Sequence, residues 1–281
     1  MSSIRKWLAV TVLAVSQMLI AQNVLAQAKT SAGSSGQLTQ EDSSPSALFT
    51  LGRRYENGDG VPLDEAKSRE LYRKSALLGY ADAQLQLGIM FANGSGFQKD
   101  LKEAAKWYRN AADQGLAEAQ FNLGGLYKSG EGVPKDLKEA TKWYRKAADQ
   151  GYADAQTNLG YRYERGEGVP KDLKEAAKWY RKAADQGNVY AQTNLGLLYE
   201  RGDGVPKDWN EAAKWYRKAA DQGDEVAQTA LRNLHAAIEA RRSPAEKAEI
   251  ERREVEAERR NWIAEQAGRA QRRIFEGKPL Y

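Results

Sequence analysis

Trp107, Trp143, Trp179 and Trp215 stand 36 residues apart, and a tyrosine follows each of them. Leu71-Tyr72 holds the same place one period earlier. Ala83, Ala119, Ala155, Ala191 and Ala227 keep the same phase, each followed by glutamine. A period of roughly 20 to 50 residues means stacked units, none of which can bury its apolar face alone. The period predicts five units, 47–82, 83–118, 119–154, 155–190 and 191–226, then a capping half unit that carries the array to residue 240.

Each unit reads as two helices. In the third, Ala119, Leu123 and Tyr127 lie at i, i+4 and i+8 with Leu126 beside them, which makes one apolar face. Gly130 and Gly132 stop that helix, because glycine accepts the left-handed conformation at a helix end. Asp136 then caps a second helix, and Glu139 completes a capping-box pattern. The pair recurs as Asp100/Glu103, Asp172/Glu175 and Asp208/Glu211. Ala140, Tyr144, Ala147 and Ala148 form the apolar face of the second helix, with Trp143 at its flank. Helices this short are marginal alone and require their neighbours.

The stretch AQFNLGGLYKSGEGVPKDLKEATKWYRKAADQG, from Ala119 to Gly151, resembles the SEL-one-like repeat, a relative of the tetratricopeptide repeat. The resemblance covers the five units and the half unit. Its weakest points are Leu71 in place of Trp, Leu77-Leu78 in place of Asp-Gln, Phe97-Gln98 in place of Val-Pro, and Arg232 and His235 in the final half unit. The resemblance implies an all-α fold: a right-handed superhelical solenoid of helix-turn-helix repeats that scaffolds protein complexes. It also implies, for secreted bacterial members, a link to envelope signalling and host contact. Cysteine-rich relatives bind or hydrolyse β-lactams, which sets a cell-wall or β-lactam enzyme as the rival reading; their cysteines are absent here.

Composition removes most other chemistry. The chain has no cysteine and one histidine, His235. Disulfides, thiolate nucleophiles and Cys-ligated zinc are excluded. The G-E-G-V-P-K-D loops lack the preceding strand and the Gly-Lys-Ser/Thr of a phosphate loop. No catalytic residue, metal or cofactor is expected. His235 lies on the tyrosine column of the half unit and is expected to pack there. Residues 27–240 balance 30 basic against 30 acidic side chains, so no basic domain points to nucleic acid.

The two ends differ from the array. Arg5-Lys6, an apolar run from Trp7 to Ala21 and Val24-Leu25-Ala26 read as a secretory signal, 1–26, cut after Ala26. The run falls short of the roughly 20 residues of a membrane span. A periplasmic or secreted protein is expected. Residues 27–46, rich in Ser, Gly and Gln, read as a disordered linker. Residues 241–281 carry 11 basic and 8 acidic side chains and read as a charged C-terminal helix. Ser243, Pro244 and Glu246 give it a start signal. Trp262, Ile263, Ala267, Ala270 and Ile274 form a stripe. That stripe is expected to be covered, either by the array or by self-association with a second copy.

The resemblance implies a protein or peptide partner, and the first helices are expected to supply the reading surface. With Leu123 placed at the core centre, Phe121, Gly125 and Lys128 point away from it. The equivalents are Leu85, Ile89 and Ala92; Thr157, Tyr161 and Glu164; Thr193, Leu197 and Glu200. Asn122, Asn158 and Asn194 flank this face as a ladder of amides able to pair with an extended backbone. Leu85, Ile89, Phe121, Asn122, Asn158, Tyr161, Asn194 and Leu197 are therefore the expected partner-binding residues, on the concave side of the solenoid. Lys138, Lys142 and Lys146, repeated as Lys174, Lys178 and Lys182, mark the outer, solvated side.

Overall fold

A computed structural model describes residues 44–275, with side chains to residue 272. The expected signal and most of the linker lie outside the described residues. Secondary structure among the described residues is helical. The helices are α1 Pro45–Asn57, α2 Glu65–Leu77, α3 Ala81–Asn93, α4 Leu101–Asp113, α5 Ala117–Ser129 and α6 Leu137–Asp149. They continue as α7 Ala153–Arg165, α8 Leu173–Asp185, α9 Val189–Arg201, α10 Trp209–Ala220, α11 Glu225–Arg241 and α12 Pro244–Phe275. The chain divides into two compact units, Met1–Trp143 and Tyr144–Tyr281. None of the described helices is long and apolar enough to cross a membrane.

In the first unit α1 packs on α2, α2 on α3, α3 on α4 and α4 on α5. The aspartates cap the second helices: Asp100 Oδ1 accepts from the backbone N–H of Lys102 at 2.9 Å and of Glu103 at 3.0 Å. Glu103 does not close a capping box; it turns forward and accepts from Lys106 Nζ at 2.8 Å. The core is built on close approach. A Cβ on Gly88 would lie 2.5 Å from the Tyr108 ring, so only glycine lets α3 and α4 come this near. Tyr108, Leu123, Leu126 and Trp143 join a row of alanines in one buried cluster. Trp143 thus belongs to the core rather than to its flank.

The second unit repeats this plan. α7 packs on α8, α8 on α9, α9 on α10 and α10 on α11. Gly196 meets the Tyr216 ring as Gly88 meets Tyr108, at 2.7 Å from the missing Cβ. The core cluster of Tyr180, Leu195, Leu198 and Trp215 continues into one of Tyr216, Ala227 and Leu234.

Two polar ladders stitch successive hairpins. Gln156 Nε2 donates to Ala148 O at 3.1 Å while its Oε1 accepts from Gln186 Nε2 at 2.8 Å. Gln192 does the same with Ala184 O, at 3.1 Å, and Gln222, at 2.8 Å. In the first unit Gln84 repeats the arrangement with Ala76 O, at 3.1 Å, and Gln114, at 2.7 Å. A buried amide whose two ends are both engaged costs little and fixes register. The second ladder runs from arginine to tyrosine to tryptophan. Arg145 donates to Tyr163 Oη with its guanidinium 5.9 Å from the Trp179 ring, and Arg181 donates to Tyr199 Oη 5.2 Å from Trp215.

The tail, α12, opens with a complete capping box: Glu246 N donates to Ser243 Oγ at 3.2 Å and Ser243 N donates to Glu246 Oε2 at 2.8 Å. Among the described residues the expected cover of its apolar stripe is not found. Trp262 is 63 % exposed and Ile263 is exposed beside it.

Candidate interaction surface

The first helices of the second unit are held by Ala155, Gln156 and Leu159 on α7 and by Ala191, Gln192 and Leu195 on α9, all buried. Residues seven apart share a helix face. Asp154, Asn158 and Tyr161 therefore form one outward line on α7, and Tyr190, Asn194 and Leu197 form its counterpart on α9. Side-chain bonds tie the lines together. Asn188 Nδ2 donates to Asp154 Oδ1 at 2.8 Å, and Thr193 Oγ1 donates to Asp224 Oδ1, at the start of α11, at 3.3 Å. Tyr161 is 38 % exposed and Tyr190 72 %, and Val226 on α11 is exposed in the same column as Tyr190. Asn194 and Leu197 are half-buried. Asn158 is half-buried too, and its Nδ2 donates to Asp154 O at 3.0 Å, within its own helix.

The first unit does not present the same surface. Leu85 is 8 % exposed and belongs to the core cluster, and Ile89 packs against that cluster. The expectation that these two face away from the core fails. A first helix is covered by two second helices, its own and the preceding one, so its buried arc is wider than a single stripe allows. Phe121 and Asn122 are half-buried. Glu164 and Glu200, also expected to face away, accept from the hydroxyls of Tyr180 at 2.8 Å and Tyr216 at 2.7 Å.

Three residues with a bearing on this surface break a repeat column, which is the signal that finds them. Tyr190 and Val226 stand where Asp82, Glu118 and Asp154 stand in the other units. Arg162 interrupts the buried column of Met90, Leu126, Leu198 and Leu234, is only 2 % exposed, and pairs with Glu167. His235 is exposed, not packed on the tyrosine column, while Leu234 beside it is buried in its own column.

Electrostatics assign the buried tyrosines to structure. Burial pushes the phenols of Tyr108 and Tyr144 up to about 12. Burial, and then Glu164 and Glu200, hold those of Tyr180 and Tyr216 well above the ordinary range. These side chains keep their protons, and Tyr180 and Tyr216 donate them to Glu164 and Glu200. Among the described residues no group of three His, Cys, Asp or Glu side chains is placed to hold a metal ion.

Five copies of the Sel1 repeat match residues 45–80, 81–116, 117–152, 153–188 and 189–224. Among solved structures, the chain is similar to a protective antigen present in uropathogenic Escherichia coli strains that displays this repeat fold. The two are 40 % identical with a TM-score of 0.67, over 75 % of this chain and 43 % of that one, so this chain spans less than half of that protein. A Sel1 repeat protein from Oxalobacter formigenes is 34 % identical with a TM-score of 0.65, over 75 % of this chain and 85 % of that one. A cysteine-rich protein of Helicobacter pylori is 29 % identical over 47 % of this chain and 96 % of that one, with a TM-score of 0.39. The search of curated proteins found no match. Sel1 repeat proteins are generally protein-interaction scaffolds. The matched repeats, the helical hairpins and these likenesses agree: the chain belongs to the Sel1 repeat family.

Proposed function

We propose that this protein is an exported, non-enzymatic scaffold that captures a peptide or protein on the first-helix face of its second unit. The observation that carries the reading is the exposure of Tyr190, Tyr161 and Val226 on helices whose other faces are packed. Folding gains little from an exposed aromatic, whereas aromatic side chains supply much of the energy at protein interfaces. Leu197 adds apolar area, and Asn158 and Asn194 add amides able to meet a partner backbone. Phe121 and Asn122 hold the equivalent columns in the first unit; Leu85 and Ile89 serve packing. The leader-like segment 1–26 supports export to the periplasm or beyond. The likeness to a protective antigen supports host contact. The tail helix, with Trp262 and Ile263 exposed, supplies a further surface, for another copy of this chain.

A photo-crosslinking residue placed at Tyr190 is expected to give a discrete adduct in intact cells, lost when Tyr161 and Leu197 are changed to alanine. The same group at Lys138 is expected to give none. An adduct from Lys138 and none from Tyr190 would move the binding surface to the lysine side and overturn the reading.

A further inference from the structure

In the second unit the arginine–tyrosine–tryptophan ladder ends on an incomplete rung. There Arg145 and Arg181 each meet a tyrosine 18 residues on and a tryptophan 34 residues on: Tyr163 and Trp179, then Tyr199 and Trp215. A lysine covers each tryptophan as well, Lys182 Nζ at 4.0 Å from the Trp179 ring and Lys218 Nζ at 3.9 Å from Trp215. The same spacing continues to Arg217 and His235, both exposed, but the third place falls on Glu251. Where the next tryptophan would come, α10 and α11 leave an open cleft. Ala213, Arg217, His235 and Ile238 line it together with Glu239, and Lys214 and Arg242 border it.

We propose that this cleft is a seat for Trp262 of a second copy's tail helix. The inference rests on the reading above that the tail contacts another copy, and it names the place of contact. Inside the array, the group that occupies an arginine and aromatic pair of this kind is always an indole carried on a helix. The tail carries such an indole in a matching setting. Glu258 precedes Trp262 by four residues, as Glu211 precedes Trp215, whose Nε1 donates to Glu211 Oε1 at 3.0 Å. Arg217 supplies the cation of the seat, since Lys214 and Arg242 at its rim pair with Glu211 and Glu239. An indole over a guanidinium is the favourable cation–π arrangement. The chain's own Trp262 cannot fill the seat. Arg242 at the cleft rim lies just before Pro244, and a straight helix carries residue 262 about 27 Å along its axis from there. The indole must therefore come from another molecule.

Sedimentation velocity of the full chain across a range of concentrations tests this, with Trp262→Ala, Arg217→Ala and an equimolar mixture of the two variants. Both residues are exposed, and an unchanged melting temperature verifies that each variant folds. Wild type is expected to self-associate, and each variant alone to do so at least tenfold more weakly. The mixture is expected to recover pairing, because the Arg217→Ala molecule still offers Trp262 to the intact seat of the other. A wild type that stays monomeric would overturn both the seat and the tail reading. Loss of association with Trp262→Ala alone, with Arg217→Ala and the mixture showing no effect of the seat, would keep self-association and overturn the seat.

Discussion

The repeat helices and the tail helix are built from the same charged and alanine-rich vocabulary, yet they are stabilised in opposite ways. Helices α1 to α11 run 12 to 17 residues and hold together by bonds between helices: glutamine to glutamine, tyrosine to glutamate, arginine to tyrosine. Helix α12 runs 32 residues and is held by its capping box and by pairs along its own surface, such as Arg252 and Arg253 with Glu249 at 2.9 and 3.0 Å. Short helices need tertiary partners to exist, whereas a long capped helix lowers that need. Residues that recur with the period therefore mark contacts between helices. Where the period ends, local pairing takes over and apolar side chains are left exposed.

The comparison breaks most visibly at the glutamine ladder. Gln192→Ala removes the donor to Ala184 O and the acceptor for Gln222 Nε2 in a buried setting. Orphaned buried groups cost about 1–3 kcal/mol each, so a loss of about 2 kcal/mol is expected in urea unfolding. Gln271→Ala, on the exposed surface of the tail, is expected to leave the midpoint where it was. Equal effects at the two sites would mean that the ladder holds nothing together.

Arg162 is the place where the array behaves like the tail, with a charge at a packing position. Its Nε is buried without a hydrogen-bond partner, and its ion-pair partner Glu167 is partly exposed. Leucine fills this position at 126, 198 and 234. Replacing a buried ion pair with a well-packed hydrophobic group is often neutral or stabilising, and Glu167 can rehydrate once released. Arg162→Leu is expected to raise stability by about 1 kcal/mol, seen as a higher urea midpoint with an unchanged slope. A fall of that size would show that the guanidinium, 5.6 Å from the Tyr161 ring, holds that residue in place.

The sequence carries the period, the aspartate caps and the tail's start signal because each depends on neighbours within a few residues. Asp100, Asp136 and Asp208 cap as their spacing predicts, and the expected helix start at Ser243 and Glu246 takes the form of a capping box. The partners of Gln156 and Gln186 lie 30 residues apart and become visible only when hairpins stack. The same stacking defeats the helical-wheel reading of Leu85, since one wheel cannot show that two helices cover α3. Tyr190 and Arg162 were legible as breaks in repeating columns, but what each break does depends on burial: one residue is exposed and the other enclosed. Leu78 makes the point from the other side. It stands where the ladder would need glutamine, and it is exposed at the array's first hairpin.

The smallest expected effect separates the two regions most cleanly. Glu249 accepts from Arg252 and Arg253 on the surface of α12, where exposed pairs contribute about 0.3–0.5 kcal/mol and are screened by salt. Glu249→Ala removes both pairs but introduces the best helix former, so the net change in the tail stays within about 0.5 kcal/mol. Amide hydrogen exchange resolves it, because opening free energies are read segment by segment. Exchange across 250–260 is expected to change by no more than about twofold, the equivalent of that energy at room temperature, and to lose any difference at high salt. Exchange at Leu195 and Leu198, in the core of the second unit, is expected not to move at all. A coupled change in both segments would mean that the tail and the array unfold together, and the local account of α12 would give way to one in which the tail is docked.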